Sequence, residues 1–183
     1  MTSSHPENAT APAPASPRSA AHVLRAHDVG LLVLRLGVGL IAAARGAQHL
    51  FGWWGGLGID KTAVVFAQFG YPAPKAMAMI AGLTETFGGL ALAVGLLTPL
   101  AGAAVAGTMA NAVAAAWPLG YFGGFEFPLL IGVGAAGLAL SGAGRISLDA
   151  FLPLLRSQRL IYGITLLVLA AILATVTILL SKT

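Results

Sequence analysis

Residues 76–117 read AMAMIAGLTETFGGLALAVGLLTPLAGAAVAGTMANAVAAAW, a run of 42 residues in which Glu85 is the only charge. As one straight helix this run would be about 63 Å long, twice the roughly 30 Å hydrocarbon core of a bilayer. The chain must therefore fold back within the run. We place the break before Pro99, because proline cannot continue a helix from within. The run predicts two membrane spans, 76–97 and 100–117.

The composition of the whole chain agrees with a membrane environment. Of its 183 residues, 57% are hydrophobic and 9% are charged, against roughly 25% charged in soluble domains. Glycine occurs 24 times, which suits helices that pack backbone to backbone in lipid. The sequence contains no cysteine, which excludes disulfides, thiol catalysis and cysteine-bound metals on this chain. The net charge of +4 comes from scattered residues and does not indicate a nucleic-acid partner.

Three further apolar segments complete the predicted all-α fold, a polytopic transmembrane bundle with four core helices and a fifth, C-terminal one. Residues 29–51 are long enough to span a bilayer, which needs about 20 residues. Residues 127–143 are shorter and rich in glycine, so a re-entrant hairpin is the alternative to a full span there. Residues 160–180 carry no charge and predict a plain lipid-facing helix. An interfacial helix over residues 60–69 is expected in the loop after the first span.

The segments between the spans predict the domain organisation and the topology. Residues 1–28 are rich in Ala, Pro and Ser and predict a disordered tail, 29–150 form the four-helix core, and 151–183 hold a linker and the additional helix. Lys and Arg are more frequent in cytoplasmic loops than in outer ones. This rule predicts a cytoplasmic N-terminus and a C-terminus outside. The inner basic residues are then Arg18, Arg25, Arg145, Arg156 and Arg159, and the outer ones are Lys61, Lys75 and Lys182.

Aromatic residues are concentrated in two loops. Eleven of the 14 aromatic residues (8 Phe, 3 Trp and 3 Tyr) lie within residues 51–71 or 117–127. The predicted topology places both loops on the outer face. This distribution is typical of an interfacial aromatic belt, and it also suits the mouth of a binding site.

Several polar side chains lie within the predicted spans. Ionisable groups there cost about 2.5–3.5 kcal/mol each and usually face the protein interior with a partner. Glu85 shares a helix face with Gly82 and Gly89, so we expect it to point into the bundle. Its depth suggests Arg45 as its partner. The candidate pocket, which would open to the outer leaflet beneath the aromatic loops, consists of Arg45, His49, Glu85, Asn111 and Glu126.

A purely structural role for these charges, as clasps between helices, is the alternative. Arg35 lies nearer the cytoplasmic end and is expected to snorkel to the interface or to meet Asp149. His49 is the one histidine well inside a span and cannot form a bis-histidine haem site alone, so we expect neither haem nor a metal. The glycines lie within apolar spans, which does not suit a nucleotide-binding loop.

Five short motifs stand in order along residues 31–151: LRLG at 34–37, GAQHLFG at 46–52, ETFGG at 85–89, FEFP at 125–128 and GRISLDA at 144–150. In this order and spacing they resemble the DoxX family of small bacterial membrane proteins. The resemblance implies a four-helix transmembrane core, usually in the plasma membrane. In some members it also implies a link to quinone-coupled thiosulfate oxidation or to redox complexes with thiol-handling partners.

The leading hypothesis from the sequence is a membrane subunit of a quinone- or thiol-linked redox system. Its polar pocket would hold a quinone or a similar apolar, carbonyl-bearing ligand without a covalent bond, because Arg and His can donate hydrogen bonds to a quinone oxygen and a carboxylate can relay protons. A protein partner would supply the electrons, so the chain would be an oxidoreductase subunit and not a stand-alone enzyme. A non-catalytic transporter, a lipid-handling protein and a scaffold are the alternatives. Besides the lipid bilayer and this partner, association with further copies of the chain stays open.

Overall fold

The computed structural model describes residues 17–151 and 159–182 as a bundle of helices. Within this part of the chain, five helices are long and apolar enough to cross a membrane. The prediction of an all-α, multi-pass membrane protein with a fifth C-terminal span is therefore confirmed. The main helices are α1 (Pro17–Phe51), α2 (Gly58–Gln68), α3 (Pro74–Val94), α4 (Thr98–Ala116), α5 (Glu126–Ser141) and α6 (Arg159–Leu180).

The long apolar run breaks where its proline predicts. Helix α3 ends at Val94, and Gly95 follows with a positive φ of 70°, a conformation that glycine adopts without strain. Leu97 also lies in the left-handed region, at φ 48°. Helix α4 then begins at Thr98 with Pro99 in its first turn, where the missing N–H of proline costs nothing. These two left-handed residues reverse the chain between α3 and α4.

The structure agrees with the predicted helix at one end of the core, but it differs from the predicted tail at the other end. Helix α5 is continuous from Glu126 to Ser141, so the predicted segment 127–143 is one helix as far as residue 141 and not a re-entrant hairpin. Helix α1 begins at Pro17, so residues 17–28, which we expected to be part of a disordered tail, are helical. Proline at the first helical position followed by alanine-rich sequence favours this early start. The rest of the predicted tail, residues 1–16, and residues 152–158 of the predicted linker lie outside the described residues.

Helices α1 and α3 cross with their backbones in direct contact. Gly39 lies against Gly89, and Gly46 lies against Gly82 and Thr86, at distances that leave no room for a Cβ atom. Such small-residue contacts let van der Waals packing hold helices together in lipid. The face of α3 that the sequence predicts to carry Gly82, Glu85 and Gly89 is thus the face that contacts α1. The crossing fixes the relative depth of the polar residues that the two helices carry.

Helix α6 has one packed face and one exposed face. Gly107 of α4 lies against Ala170 of α6, and Gly163 of α6 lies against Ala139 of α5. Most of the large apolar side chains of α6 remain exposed on the opposite side, as in Leu173, which is 58% exposed. The expectation of a plain lipid-facing helix therefore holds for only part of its surface.

Arg35 is buried at the end of the bundle opposite the aromatic loops and is 1% exposed. Its guanidinium donates hydrogen bonds to the carbonyls of Ala143, at 2.7 Å, and Ile146, at 2.5 Å. The expectation that Arg35 snorkels to the interface is wrong, because the side chain is buried and these two carbonyls accept its hydrogen bonds inside the protein. Asp149, the other expected partner, interacts with Arg35 electrostatically, without a hydrogen bond between the two side chains.

Asp149 binds the start of α4 instead. Its two carboxylate oxygens accept hydrogen bonds from the backbone N–H groups of Leu97, at 2.7 Å, and Thr98, at 2.9 Å. These N–H groups have no partner within the helix, and the helix dipole favours an anion at this end. Arg35 and Asp149 together tie the connection after α5 to helices α1 and α4. We call this end of the bundle the arginine end and the opposite one, with loops 52–73 and 117–125, the aromatic end.

Candidate functional site

Glu85 is buried in the middle of α3, with 3% of its surface exposed. It belongs to a π-helical turn, Thr84–Gly88, inside the otherwise α-helical span. Such turns are rare, and they occur frequently at functional sites. The contacts of Gly82 and Gly89 with α1 place this turn against α1. The prediction that Glu85 points into the bundle is confirmed.

The partner of Glu85 is His49. Its Nδ1 atom lies 2.9 Å from Glu85 Oε2. The angle is not that of a hydrogen bond, and among the described residues neither atom has a hydrogen-bond partner. The predicted pair of Glu85 with Arg45 is wrong, because Arg45 is exposed and its guanidinium carbon lies 5.1 Å from the centre of the Phe127 ring. A cation–π contact and a 3.4 Å contact with Gln48 occupy Arg45 there.

Asn111 joins three elements through hydrogen bonds. Its Oδ1 accepts hydrogen bonds from the hydroxyls of Tyr71, at 3.2 Å, and Thr177, at 2.7 Å. Its Nδ2 donates to the carbonyl of Gly107 at 3.1 Å. Burial raises the pKa of Tyr71 above its ordinary value of 10.0, so this hydroxyl stays protonated and remains a donor at neutral pH. Helix α4, the connection before α3, and α6 are thereby held together at the aromatic end.

A cavity of about 250 Å³ lies beside the His49 and Glu85 pair. We call it the lateral cavity. Its walls are mainly apolar and come from the end of α2, from α3 and from α4. Phe69 and Ile80 line the cavity and are also exposed on the surface of the bundle, by 40% and 59%. The lateral cavity therefore opens to the side, toward lipid. The polar side chains in its lining are His49, Tyr71, Glu85, Thr108, Asn111 and Thr177.

A second cavity, of about 210 Å³, lies on the other side of the same pair. We call it the end cavity, because Gly124 and Pro128 line it at the aromatic end, where α5 begins. Arg45 contributes to its wall. Both His49 and Glu85 line both cavities, together with the small residues Ala112 and Ala116. The pair therefore forms part of the wall between the two cavities.

The structure brings together three of the five predicted pocket residues. His49, Glu85 and Asn111 line the lateral cavity, whereas Arg45 lines the end cavity only. Glu126 lies outside both linings and accepts a hydrogen bond from the backbone N–H of Gly123 at 3.3 Å. The chain before Glu126 is not regular helix, since Phe122 and Gly123 have non-helical dihedrals. This bend keeps the Glu126 carboxylate at the start of its own helix.

Thr177 is a cavity residue that the sequence interpretation missed. It lies on α6, whose composition of Leu, Ile and Val indicates a lipid-facing span. The hydroxyl group of Thr177 within this helix was the one sequence feature that could have indicated a role in the site. In the structure this hydroxyl donates to Asn111 and lines the lateral cavity. The C-terminal helix is thus part of the site.

The arrangement offers one proton-exchanging pair and several hydrogen-bonding groups on the wall of an apolar cavity. A carboxyl and an imidazole in contact can accept, hold and release a proton. Among residues 17–151 and 159–182, no three His, Asp or Glu side chains are grouped so that they could hold a metal ion. The lateral cavity therefore suits an apolar ligand that carries a hydrogen-bonding group at one end.

Five spanning helices, glycine-mediated crossings and a buried ionisable pair define a polytopic helical membrane protein. The DoxX family model matches residues 30–117, from α1 to the end of α4, so this segment of the chain is a DoxX domain. The matched segment contains His49, Glu85 and Asn111 and ends before α5 and α6. Comparisons with curated proteins and with solved structures gave no match.

Proposed function

We propose that this DoxX protein is the membrane subunit of a redox system and that its lateral cavity binds a quinone head group or a similar carbonyl-bearing ring. The observation that carries this proposal is the contact of His49 with Glu85 on the wall of an apolar cavity that opens toward lipid. Imidazole and hydroxyl groups can donate hydrogen bonds to a carbonyl oxygen, and a carboxyl can exchange protons with a ligand that is reduced or oxidised.

The size of the lateral cavity favours a ring over a whole lipid. Pockets for drug-sized ligands measure roughly 300–1,000 Å³, and this cavity measures about 250 Å³. One ring system fits such a volume, whereas a whole lipid does not. An apolar tail on the ring would leave through the opening at Phe69 and Ile80, where both side chains are exposed. A tailed quinone has this division into a compact polar ring and an apolar tail.

The proposal includes a partner and a location. The chain has no cysteine to act as a thiol redox centre, so electrons would come from or go to a partner protein. We place the protein in the plasma membrane with its N-terminus in the cytoplasm, because the arginine-rich side of the sequence favours the cytoplasmic face. The aromatic end and the lateral cavity would then lie toward the outer leaflet.

Filling the lateral cavity should prevent quinone binding. Ala115 lines this cavity and not the end cavity, so a leucine at that position occupies ligand space. We expect Ala115→Leu to weaken the binding of a short-tailed naphthoquinone by about tenfold or more. Quenching of tryptophan fluorescence in full-length protein in nanodiscs would measure the affinity. The matched control is Ala110→Leu, at an exposed position on the same helix, which should bind as the wild type does.

Two results would count against the proposal in different ways. Saturable binding of equal affinity in wild type and Ala115→Leu would place the ligand outside the lateral cavity. If the wild-type protein shows no saturable binding of naphthoquinone or benzoquinone analogues, the quinone itself is excluded.

A further inference from the structure

We propose that His49 and Glu85 carry protons between a ligand in the lateral cavity and water in the end cavity. This inference rests on the proposed function and adds a proton path to the same site. His49 Nδ1 and Glu85 Oε2 are 2.9 Å apart, and both residues line both cavities. Among the described residues, neither atom has a hydrogen-bond partner. The two atoms are buried against each other, and the rest of each side chain reaches the two cavities.

The two cavities differ in a way that gives this path a direction. The lateral cavity is mainly apolar and opens between Phe69 and Ile80, toward lipid. The end cavity is lined by Arg45, a charged side chain that the lateral cavity lacks, and by Gly124 beside the start of α5. Its volume of about 210 Å³ has room for several water molecules at about 30 Å³ each, and water occupies cavities that offer polar partners. Protons from bulk water would therefore reach the pair through the end cavity.

No other charged side chain in the described ranges competes for His49 or Glu85, so both residues can exchange protons with a ligand and with water. Within the described part of the chain, its two members form an ion pair only with each other. Asp60 is bound by Lys75 at 2.8 Å, on the exposed side of α2. The described residues of helices α4 and α6 contribute no charged side chain to the lining of the lateral cavity; their polar residues there are Thr108, Asn111 and Thr177. Toward the aromatic end, the ionisable groups on the elements packed around the pair include Arg45 on α1, Asp60 and Lys61 on α2, Tyr71 before α3, Lys75 on α3 and Glu126 on α5. Arg35 and Asp28 lie on α1 nearer the arginine end.

The proton steps balance when the ligand is a quinol and the oxidant is a redox partner. Glu85 accepts a hydroxyl proton, so that one ligand O–H bond breaks and one O–H bond forms on the carboxyl. Glu85 then passes this proton to Nδ1 of His49, and His49 releases its Nε2 proton to water in the end cavity. After the first transfer the imidazole carries its proton on Nδ1, so it must regain the Nε2–H tautomer, by rotation of the ring and proton exchange with water, before the second transfer. Two such transfers accompany the two electrons that pass to the oxidant. For quinone reduction the same residues carry protons in the opposite direction.

The first test needs no quinone and asks whether the end cavity contains water. Because the chain has no native cysteine, a thiol reagent reports only on an introduced one. Met109→Cys places a thiol in the end cavity, and Ala110→Cys places one on the exposed side of the same helix, toward lipid. A charged methanethiosulfonate reacts with thiolate, which forms in water and not in lipid. We expect Met109→Cys to react about tenfold faster or more, and equal rates would overturn the proposal.

The second test follows the protons themselves. Ile41 lines the end cavity and not the lateral one, so Ile41→Trp narrows the water side without touching the ligand side. Leu40→Trp is the control, since Leu40 is exposed and lines neither cavity. Full-length protein in nanodiscs, loaded with a short-tailed naphthoquinol, is mixed with ferricyanide. Ferricyanide takes two electrons per quinol, and an indicator dye records the two released protons.

We expect proton release to be about tenfold slower in Ile41→Trp and in Glu85→Gln than in wild type and Leu40→Trp. The affinity of Ile41→Trp for the quinol should remain that of the wild type. Wild-type rates of proton release in Ile41→Trp, at normal affinity, would overturn the proton path and leave the proposed function standing. Failure of the wild-type protein to bind the quinol would overturn the proposed function, and the proton path with it.

Discussion

Arg35→Ala should lower the free energy of unfolding by about 3–5 kcal/mol, a large part of the stability of a typical protein. The buried guanidinium donates hydrogen bonds to the carbonyls of Ala143 and Ile146, and each hydrogen bond to a charged group contributes about 1.5–3 kcal/mol. Alanine would leave both carbonyls without this donor. Asp149, which interacts electrostatically with Arg35, would also lose its opposite charge. The connection after α5 would then no longer be held at the arginine end.

The same helix supplies a matched control for this measurement. Arg45 is exposed, and its contacts with Gln48 and Phe127 are long, so Arg45→Ala should change stability by less than about 1 kcal/mol. Unfolding of purified full-length protein in mild detergent, titrated with dodecyl sulfate and followed by circular dichroism, would give both values. If Arg35→Ala unfolds at the wild-type midpoint, the buried arginine does not hold the bundle together.

A leucine at Gly46 is expected to have the second large effect, about 3 kcal/mol or more. A Cβ atom at this position would lie 2.6 Å from the carbonyl oxygen of Gly82 and would overlap the backbone nitrogen of Thr86. Backbone atoms cannot yield by changing rotamer, so α1 and α3 must move apart. Because His49 and Glu85 come from these two helices, we also expect the contact between them to be lost. Quinone affinity should fall together with stability.

Gly37→Leu is the control for this substitution. Gly37 also lies on α1, and a Cβ atom there meets nothing within 4 Å. Leucine also has a higher helix propensity than glycine by about 1 kcal/mol, so this variant should be at least as stable as the wild type. The same unfolding titration and a naphthoquinone binding assay would compare the two variants. A Gly46→Leu protein with wild-type stability and wild-type quinone affinity would contradict the close helix crossing.

The helices and their closest crossing could be predicted from the sequence for a simple physical reason. A span must satisfy every backbone hydrogen bond internally and must match the thickness of the bilayer, so length and hydropathy are sufficient to locate it. The position of Pro99 then located the turn between α3 and α4. Gly82 and Gly89, which share a helix face with Glu85, indicated which face of α3 could approach another helix, and this face contacts α1.

The partner of Glu85 could not be predicted in this way. The expected pair with Arg45 assumed a uniform rotation of 100° per residue and a partner chosen by depth. The π-helical turn at Thr84–Gly88 changes the rotation locally, which a regular helical wheel cannot represent. Arg45 and His49 are one helical turn apart on the same helix, so small differences in side-chain packing decide between them. Phe127 holds the Arg45 guanidinium, which leaves His49 for Glu85.

Two further residues could not be placed correctly from sequence patterns. Thr177 lies in a helix whose composition predicts exposure to lipid, and only the tertiary packing of α6 on α4 brings its hydroxyl to Asn111. Glu126 was expected in the same pocket as His49, but its carboxylate accepts a hydrogen bond from the non-helical segment before its helix and lies outside both cavity linings. The family match also ends at residue 117, before the helix that contributes Thr177. Part of the candidate site therefore lies beyond the segment that matches the family model.

Photoaffinity labelling with an azido-naphthoquinone would test most directly whether the lateral cavity binds a quinone. Full-length protein in nanodiscs would be illuminated with and without excess unlabelled quinone, and mass spectrometry would locate the label. We expect label within residues 66–85 and 108–116, which hold most of the cavity lining, and we expect unlabelled quinone to remove it. Label that resists competition, or competed label confined to the exposed faces of α5 and α6, would contradict a quinone site between α3 and α4.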